Sequence, residues 1–176
     1  MEDTEVVATS SLRAADQSPV LRAKLRPPNP PAHLVDRQRL YDRLDELVTD
    51  PLTVVVAPAG FGKSVLLASW ATRSQVCWSW LSPDDSDRDG SRFWADMIEA
   101  IEAFPGVSCD AARGATMPPG APTAIAIELL NDLDRIPAPS VRWVLVIDDV
   151  HVVDGDDELM RSLAVFLRHV PSVVSR

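Results

Sequence analysis

The sequence predicts an α/β fold in which helices flank a parallel sheet. Two observations lead to this prediction. Apolar, β-branched runs alternate along the chain with segments whose apolar residues recur at the spacing of a helix face. The runs themselves lack polar alternation, which is typical of strands that are buried on both faces, as in a parallel sheet.

The composition is that of one globular domain with a negative charge. The chain has 176 residues, of which 46% are apolar and 24% charged, and its formal net charge is −9. This charge argues against nucleic acid or an anionic membrane as a partner of this chain, because phosphate groups attract positive charge. No apolar run approaches the about 20 residues that span a bilayer, and the acidic N-terminus lacks the apolar core of a signal peptide. We therefore expect a cytoplasmic location and no membrane contact.

The first 33 residues predict a tail ahead of the folded domain. They are polar at first and then carry the stretch "RPPNPP", which favours extended backbone over helix. We expect residues 1–33 to be disordered or extended and residues 34–176 to form the domain, with a sheet that is incomplete at the C-terminus. The basic side chains from Arg22 to Arg43, Lys24 among them, are interspersed with aspartates, and this pattern predicts solvated faces.

The elements of the domain follow in order. The first helix is predicted at 35–48, with Asp36 as its N-cap and an apolar face formed by Leu40, Leu44 and Leu47. Later helices are predicted at 64–74, 92–104, 123–136 and 156–170. Strands are predicted at 52–57, 76–81 and 141–149, and a fourth begins at 171–176. Loops are predicted at 82–91 and 105–122.

A phosphate-binding loop is predicted between the first strand and the second helix. The pattern G-x-x-x-x-G-K-[ST] joins a buried strand to a helix N-terminus, where backbone N–H groups and the helix dipole attract phosphate. Lys63 is expected to contact the β- and γ-phosphates, and the hydroxyl of Ser64 is expected to bind Mg²⁺. The first position of the pattern holds Ala57 in place of glycine, and the alternative is an ordinary glycine-rich turn with a surface lysine. The loop consists of Ala57, Pro58, Ala59, Gly60, Phe61, Gly62, Lys63 and Ser64.

Two carboxylates at the end of the third strand predict the rest of the site. Asp148 and Asp149 follow the run "WVLVI", and the carboxyl ends of parallel strands lie at the sheet edge that also carries the phosphate loop. We expect Asp148 to hold Mg²⁺, usually through water, and Asp149 to polarise the water that attacks the γ-phosphate. His151 is a candidate to reach the γ-phosphate region or to orient Asp149. The alternatives are an acidic turn after a strand and a histidine that takes no part.

These motifs, in this order, resemble those of a known family. The stretches are "KLRPPNPPAHLVDRQRL", "VVVAPAGFGKSVLLASW", "WSWLSPDDSD" followed by "RF", and "WVLVIDDVH". Together they resemble the N-terminal ATPase domain of the large ATP-binding LuxR-family transcriptional regulators. These regulators are signal-transduction ATPases with numerous domains (STAND) and relatives of AAA+ proteins. The resemblance covers roughly residues 22–170.

The resemblance implies several properties of the chain. The fold would be that of a P-loop NTPase with the acidic strand beside the phosphate-loop strand, and ATP would act as a switch that slow hydrolysis resets. The segment around Val35 and Arg37 would lie near the adenine. Members of the family tolerate replacements at the first position of the phosphate loop. DNA would be bound by a C-terminal helix-turn-helix beyond this chain, and Ser175 and Arg176 would end the fourth strand.

Three functions stay open on the sequence alone. The first is the ATP-binding switch of a transcriptional regulator, the second is a free-standing small P-loop NTPase or kinase, and the third is a shortened remnant without turnover. ATP or ADP with Mg²⁺ is the expected ligand of the first two. Because the sheet is expected to end early, we expect weak or absent hydrolysis by this chain. The open sheet edge also predicts marginal stability or self-association.

Overall fold

The computed structural model describes residues 21–31, 33, 35–116 and 121–171 of the chain. Residues 1–20 of the predicted tail lie outside the described residues. So does the predicted fourth strand apart from Pro171, including Ser175 and Arg176. The division of the chain at residue 34 into a tail and a domain therefore stays a prediction.

Within these ranges the chain forms α-helices and a small sheet. The α-helices are α1 (Gln38–Leu47), α2 (Lys63–Ala71), α3 (Gly90–Glu102), α4 (Asp110–Ala115), α5 (Pro122–Asp134) and α6 (Asp157–His169). The strands are β1 (Cys77–Leu81) and β2 (Trp143–Ile147), and 3₁₀ helices lie at Arg22–Leu25, Asp85–Arg88 and Val150–Val153. This order of helices and strands confirms the α/β class. None of the helices in the described part of the chain is long and apolar enough to cross a membrane.

The sheet pairs β1 with β2 in parallel. The register runs from Cys77 opposite Trp143 to Leu81 opposite Ile147, so that each residue of one strand has a partner in the other. A parallel pair needs a long crossover, and here α3, α4 and α5 lie in the connection between the two strands. The prediction of a parallel sheet is thus confirmed for the second and third predicted strands.

The structure corrects the prediction for the first strand. Among the described residues, the segment 52–57 forms no ladder with β1 or β2. Leu52, Val54 and Val56 are 52%, 70% and 85% exposed, whereas the alternate residues are half-buried. Alternate exposure has the two-residue period of an extended chain, but a segment with one solvated face is not buried on both sides. The predicted burial of this segment on both faces is therefore wrong.

The predicted neighbours of the acidic strand are also corrected. β2 pairs with β1, and a cavity of about 600 Å³ lies between β2 and the segment 52–57. Consecutive residues of β2, 144–147, line this cavity together with residues 52–56. The side chains of consecutive strand residues point to opposite faces of the sheet. Because all four of these residues line the cavity, the cavity borders β2 at its free edge, the edge that does not pair with β1. β2, the strand before Asp148 and Asp149, is therefore not hydrogen-bonded to the segment 52–57 that leads into the phosphate loop.

The main core lies between α3, α5, α6 and one side of the sheet. On α3 the apolar residues Phe93, Met97, Ile98 and Ile101 recur at the spacing of one helix face, and all are buried. Trp94, on the same helix, is also buried. Aromatic rings contribute much of the area that such a core buries, and the ring of Trp94 meets both Phe93 and Phe166 edge-on, with centroids 5.5 Å apart. The indole N–H of Trp94 donates a hydrogen bond of 2.9 Å to the hydroxyl of Ser162 on α6.

A smaller cluster fixes α2, the helix that follows the phosphate loop. Leu66 and Trp70 on α2 pack against Tyr41 and Leu44 on α1. The indole N–H of Trp70 also donates to the Asp45 carboxylate at 2.7 Å. Because α1 and α2 share this core, the N-terminus of α2 has a fixed position relative to α1.

The start of α1 and two of the loops differ from prediction. Arg37, not Asp36, occupies the N-cap of α1, and the Arg37 side chain makes no capping hydrogen bond. Asp36 instead forms an exposed ion pair with Arg73 at 3.1 Å. The predicted loop at 105–122 contains α4, and the predicted loop at 82–91 contains the 3₁₀ helix Asp85–Arg88.

The prediction of a solvated face is wrong for Lys24. This lysine is 5% exposed, and its ammonium group lies among the side chains of Asp84, Ser86, Asp87 and Asp96, which we call the Lys24 cluster. The Nζ atom donates to both carboxylate oxygens of Asp87 at 2.8 Å and to Asp96 Oδ2 at 3.1 Å. Burial by itself lowers the pKa of Lys24, but the hydrogen bonds to the carboxylates outweigh it and raise the pKa above its usual value.

Candidate phosphate-binding site

The loop before α2 has the backbone shape of an anion cradle. Gly60 and Gly62 have φ angles of 81° and 76°, in the left-handed region that residues with a side chain rarely adopt. The backbone N–H of Phe61 turns back to the carbonyl oxygen of Pro58 at 3.4 Å. Gly62, which the motif requires, and Gly60, at one of its variable positions, are thus the residues that permit this loop conformation.

The N-terminus of α2 opens into the loop. Gly62 is its N-cap, and among the described residues no side chain forms a capping hydrogen bond there. The first N–H groups of a helix have no partner within the helix, and together with the helix dipole they attract anions. The nine residues of α2 place these donors directly after the loop.

Lys63 folds back over the loop. Its ammonium group donates to the carbonyl oxygen of Ala57 at 2.9 Å and to that of Pro58 at 3.4 Å. These acceptors are neutral, and in the part of the chain that the structure describes no carboxylate accepts a hydrogen bond from Lys63. The lysine of the motif thus carries its positive charge at the loop itself, and Ser64 lies beside it, half-buried, in the first turn of α2.

Arg37 contacts the loop from α1. Its Nη1 donates to the carbonyl oxygen of Phe61 at 3.1 Å, and its Nη2 would lie 3.7 Å from a Cβ atom placed on Gly62. Val35, predicted to lie near the same ligand, is 73% exposed. Sequence spacing gave no signal for the contact of Arg37 with Phe61, because it depends on how α1 packs on α2.

The acidic residues follow β2 as predicted. Asp148 is 7% exposed, and its backbone N–H donates to Leu81 of β1 at 2.9 Å, which extends the pairing of the two strands by one bond. Its carboxylate accepts a hydrogen bond of 3.1 Å from the N–H of Asp149. Asp149 has a φ angle of 51°, in the left-handed region, where aspartate is found more often than most residues. His151 Nδ1 lies 3.7 Å from Asp149 Oδ1, and both side chains face solvent.

One cavity brings the loop lysine and the acidic residues together. Lys63, Asp148, Asp149 and His151 all contribute to the wall of the cavity of about 600 Å³ between β2 and residues 52–57. Of the described residues, Ser64, Arg37 and Val35 do not line it. The sequence did not predict the other wall, which consists of apolar side chains of α6 and the residue after it: Leu163, Phe166, Leu167 and Val170.

The residues at the cavity can be compared with the way in which proteins hold Mg²⁺. The described part of the chain contains no group of three or more histidine, cysteine, aspartate or glutamate residues arranged to hold a metal ion. Mg²⁺ is commonly held by one or two carboxylates with water and substrate phosphates rather than by a cage of protein ligands. Asp148 supplies one buried carboxylate to the cavity, whereas Ser64 lies outside its lining.

These features define a class of protein, namely an α/β domain with a glycine-rich loop, a lysine in the first turn of the following helix and an acidic strand end. No family model matches the chain. It is 30% identical over 154 residues to the HTH-type transcriptional regulator MalT of Yersinia enterocolitica serotype O:8 / biotype 1B, an alignment that covers 86% of this chain. It is 31% identical over the same length to the HTH-type transcriptional regulator MalT of Yersinia pestis (strain Pestoides F) and of Yersinia pseudotuberculosis serotype O:3 (strain YPIII).

These similarities confirm the resemblance that the motifs predicted, to a segment of MalT-like transcriptional regulators. The chain spans 16% of the length of the curated relatives it matches.

Proposed function

We propose that this chain is the ATP-binding switch segment of a MalT-like transcriptional regulator, with the fold of a P-loop NTPase. The observation that carries the proposal is the loop at 57–64. Its two glycines have left-handed backbone, it opens onto the uncapped N-terminus of α2, and Lys63 lies over it. Backbone donors, a helix dipole and a lysine at one point match the three requirements of a site for nucleotide phosphates.

Each residue of the site has a distinct task in this proposal. The backbone N–H groups of the loop and of the first turn of α2 bind phosphate oxygens. Lys63 exchanges its bonds to the neutral carbonyls of Ala57 and Pro58 for bonds to the β- and γ-phosphates, which is favourable because a charge-assisted hydrogen bond is stronger than one to a carbonyl. Ser64 and Asp148 hold Mg²⁺, which supplies charge neutralisation to the phosphates when it is bound.

Hydrolysis is the slower part of the proposed cycle. Asp149 accepts the proton of a water molecule at the cavity, and His151 orients the Asp149 carboxylate from 3.7 Å. Both side chains are solvated, at 50% and 77% exposure, so water is not excluded from them. Exposed groups stabilise a developing charge less than buried ones, which supports a slow or absent turnover in this chain and a role for ATP as a switch ligand.

The regulator is favoured over a free-standing NTPase or kinase. The similarity to transcriptional regulators covers 86% of this chain, and the loop and the acidic strand end lie within one such segment. We assign contact with DNA to a part of the full-length regulator outside this chain, because the chain carries a formal net charge of −9.

The test is a titration of the whole chain with a fluorescent ATP analogue and Mg²⁺. The wild-type chain is expected to bind saturably, and Lys63→Ala is expected to weaken binding at least about tenfold through loss of a charge-assisted hydrogen bond. Arg43→Ala is the matched control, because Arg43 is an exposed basic residue that pairs with Glu46 on its own helix. Excess EDTA is expected to weaken binding of the wild-type chain if Ser64 and Asp148 hold Mg²⁺.

Two results would overturn the proposal. One is the absence of saturable binding in a sample whose far-ultraviolet circular dichroism shows native helix content. The other is binding that Lys63→Ala and Arg43→Ala reduce equally, which would indicate non-specific attraction of the nucleotide to positive charge.

A further inference from the structure

One edge of β2 has no backbone partner among the described residues. On the paired edge, the N–H of Asp148, just after β2, donates to the carbonyl oxygen of Leu81 at 2.9 Å. Alternate residues of a parallel strand direct their backbone groups to its two sides, so the even-numbered residues of β2 face β1. The N–H and C=O groups of Leu145 and Ile147 therefore face the free edge. In the described part of the chain these groups form no backbone hydrogen bond.

The cavity of about 600 Å³ runs along this free edge. Residues 144–147 of β2 line one side of it, and residues 52–56 line another. The segment 52–57 shows the alternating exposure of an extended chain, but it forms no ladder with β2. Unpaired N–H and C=O groups beside apolar side chains are costly, because they have lost water without gaining a partner. A further strand between the two segments would lie about 4.8 Å from each and would supply these partners.

The chain leaves α6 at the wall of the same cavity. Val170, the residue after α6, lines the cavity and has φ −54° and ψ 125°, close to extended backbone of the polyproline type. Pro171 follows, and a proline cannot continue the hydrogen bonds of a helix. The 13 residues of α6 span about 20 Å, which is enough to return the chain along the roughly 16 Å of β2. A strand that follows such a helical crossover runs parallel to the strand before it.

We propose that residues 172–176 occupy this cavity as a strand that pairs in parallel with the free edge of β2. The segment reads "SVVSR" and contains no glycine or proline. Val173 and Val174 are β-branched, which favours a strand and suits an apolar cavity. The five residues of the segment equal the length of β2, so one strand of this length can satisfy the whole free edge.

Charge and attachment favour this segment over a second molecule. In the parallel direction, Arg176 approaches the end of β2 that Asp148 and Asp149 follow, and opposite charges meet there. The segment is also joined to α6 at the cavity wall, which gives it a higher effective concentration at the edge than a separate copy has in dilute solution. The pairing does not require a nucleotide, so this inference does not depend on the proposed function.

The test measures amide hydrogen exchange in the whole chain by NMR, residue by residue along β2. The N–H groups of Val144 and Val146 face β1 and are the internal reference for an intact sheet. The N–H groups of Leu145 and Ile147 report on the free edge. In the wild-type chain these two groups are expected to exchange at least about tenfold more slowly than unprotected amides, because their hydrogen bonds to residues 172–176 must open first.

Two variants at one position identify the occupant. Val174→Pro removes a backbone donor and disfavours a strand that is paired on both sides. It is expected to speed exchange at Leu145 and Ile147 at least about tenfold, while Val144 and Val146 keep their protection. Val174→Ile is the matched control, because it keeps a β-branched apolar side chain, and it is expected to exchange like the wild-type chain.

A second measurement on the wild-type chain needs no variant. Nuclear Overhauser contacts are expected between backbone protons of Leu145 or Ile147 and those of residues 172–176. If the proline variant unfolds, these contacts decide, and their absence overturns the proposal.

Three exchange results would also overturn it. The first is unprotected exchange of Leu145 and Ile147 in a wild-type chain whose reference groups stay protected. The second is equal exchange of the two Val174 variants with the reference groups intact. The third is protection of the free edge that falls on dilution, which would assign the edge to a second copy of the chain.

Discussion

The ammonium group of Lys63 lies 2.9 Å from the carbonyl oxygen of Ala57, so the lysine near the end of the loop binds the residue that begins it. Because this bond joins a half-buried cation to a neutral acceptor, its loss leaves no buried charge unpaired. Lys63→Met is therefore expected to change the free energy of unfolding by no more than about 1 kcal/mol. Urea unfolding followed by tryptophan fluorescence measures this, and a loss of several kcal/mol would show that Lys63 is chiefly a structural residue.

Lys24 is expected to behave in the opposite way. Lys24→Met leaves the carboxylates of Asp87 and Asp96 buried without their cation, and removal of one partner of a buried ion pair costs about 3–5 kcal/mol. The control is Arg43→Met, which breaks the exposed pair with Glu46 and is expected to cost less than about 1 kcal/mol. The same urea experiment compares the two variants, and equal losses would contradict the burial of the Lys24 cluster.

Gly62 is expected to resist substitution because of its backbone and not for lack of space. With φ at 76°, an alanine there is strained, while its Cβ would meet the nearest Arg37 atom at an ordinary 3.7 Å. Gly62→Ala is expected to cost about 1–2 kcal/mol. Gly114→Ala is the matched control, since Gly114 lies in α4 with open space around it and should gain up to about 1 kcal/mol. If thermal unfolding shows the same shift for both variants, the left-handed conformation of Gly62 is wrong.

Stability is expected to decrease as the pH rises from about 4 to about 6. In the folded protein burial raises the pKa of Asp96 to about 6, from a usual value of 3.8. Between these values the folded state holds a proton that the unfolded state has released, so the free energy of unfolding falls with rising pH. The fall is on the order of 1–3 kcal/mol. Urea unfolding at several pH values measures it, and Asp96→Asn should remove it; a variant that retains the full slope would assign the proton to another group.

The two cysteines are expected to differ in reactivity. Cys109 is fully buried, and burial together with the nearby carboxylate of Glu102 raises the pKa of its thiol to about 12. Cys77, at the start of β1, is half-buried. Because the thiolate is the reactive form, a thiol reagent at pH 8 is expected to modify Cys77 first and Cys109 only on unfolding. Mass spectrometry of native and urea-treated samples identifies the sites, and rapid native labelling of Cys109 would contradict its burial.

Local sequence patterns correctly predicted those helices and strands whose formation depends on the order of apolar residues within the segment itself. The apolar faces of α3 and α6 follow from helical spacing, and both strands of the observed sheet lie in apolar runs that were predicted as strands. α4 was missed because its six residues, "DAARGA", carry too few apolar side chains to show periodicity. The proposed N-cap, Asp36, was wrong because α1 begins at Gln38, which places Arg37 at the N-cap, and the carboxylate of Asp36 lies 3.1 Å from Arg73 instead.

The sequence predicted the residues of the loop itself but not the segments that surround it. The motif located Gly62, one of the two left-handed glycines of the loop, and the apolar run located Asp148 directly after β2. The burial of the segment 52–57 was predicted wrongly, because a continuous apolar run reveals which residues favour a strand but not which strands lie beside it. Lys24 was predicted to be solvated for a related reason: its partners lie 60 or more positions further along the chain, and no local pattern indicates them.

The pairing of Cys77 with Trp143 joins two strands that are far apart along the chain, and this separation affects the order in which the elements fold. The two strands are separated by three helices, so the chain closes a long loop before the first bond between the strands forms. Local helical contacts form faster than such distant pairings. We therefore expect the helices between the strands, α3, α4 and α5, to assemble first and to bring the two strands together. Asp148, which follows β2, is then expected to reach its position only in the last stage of folding.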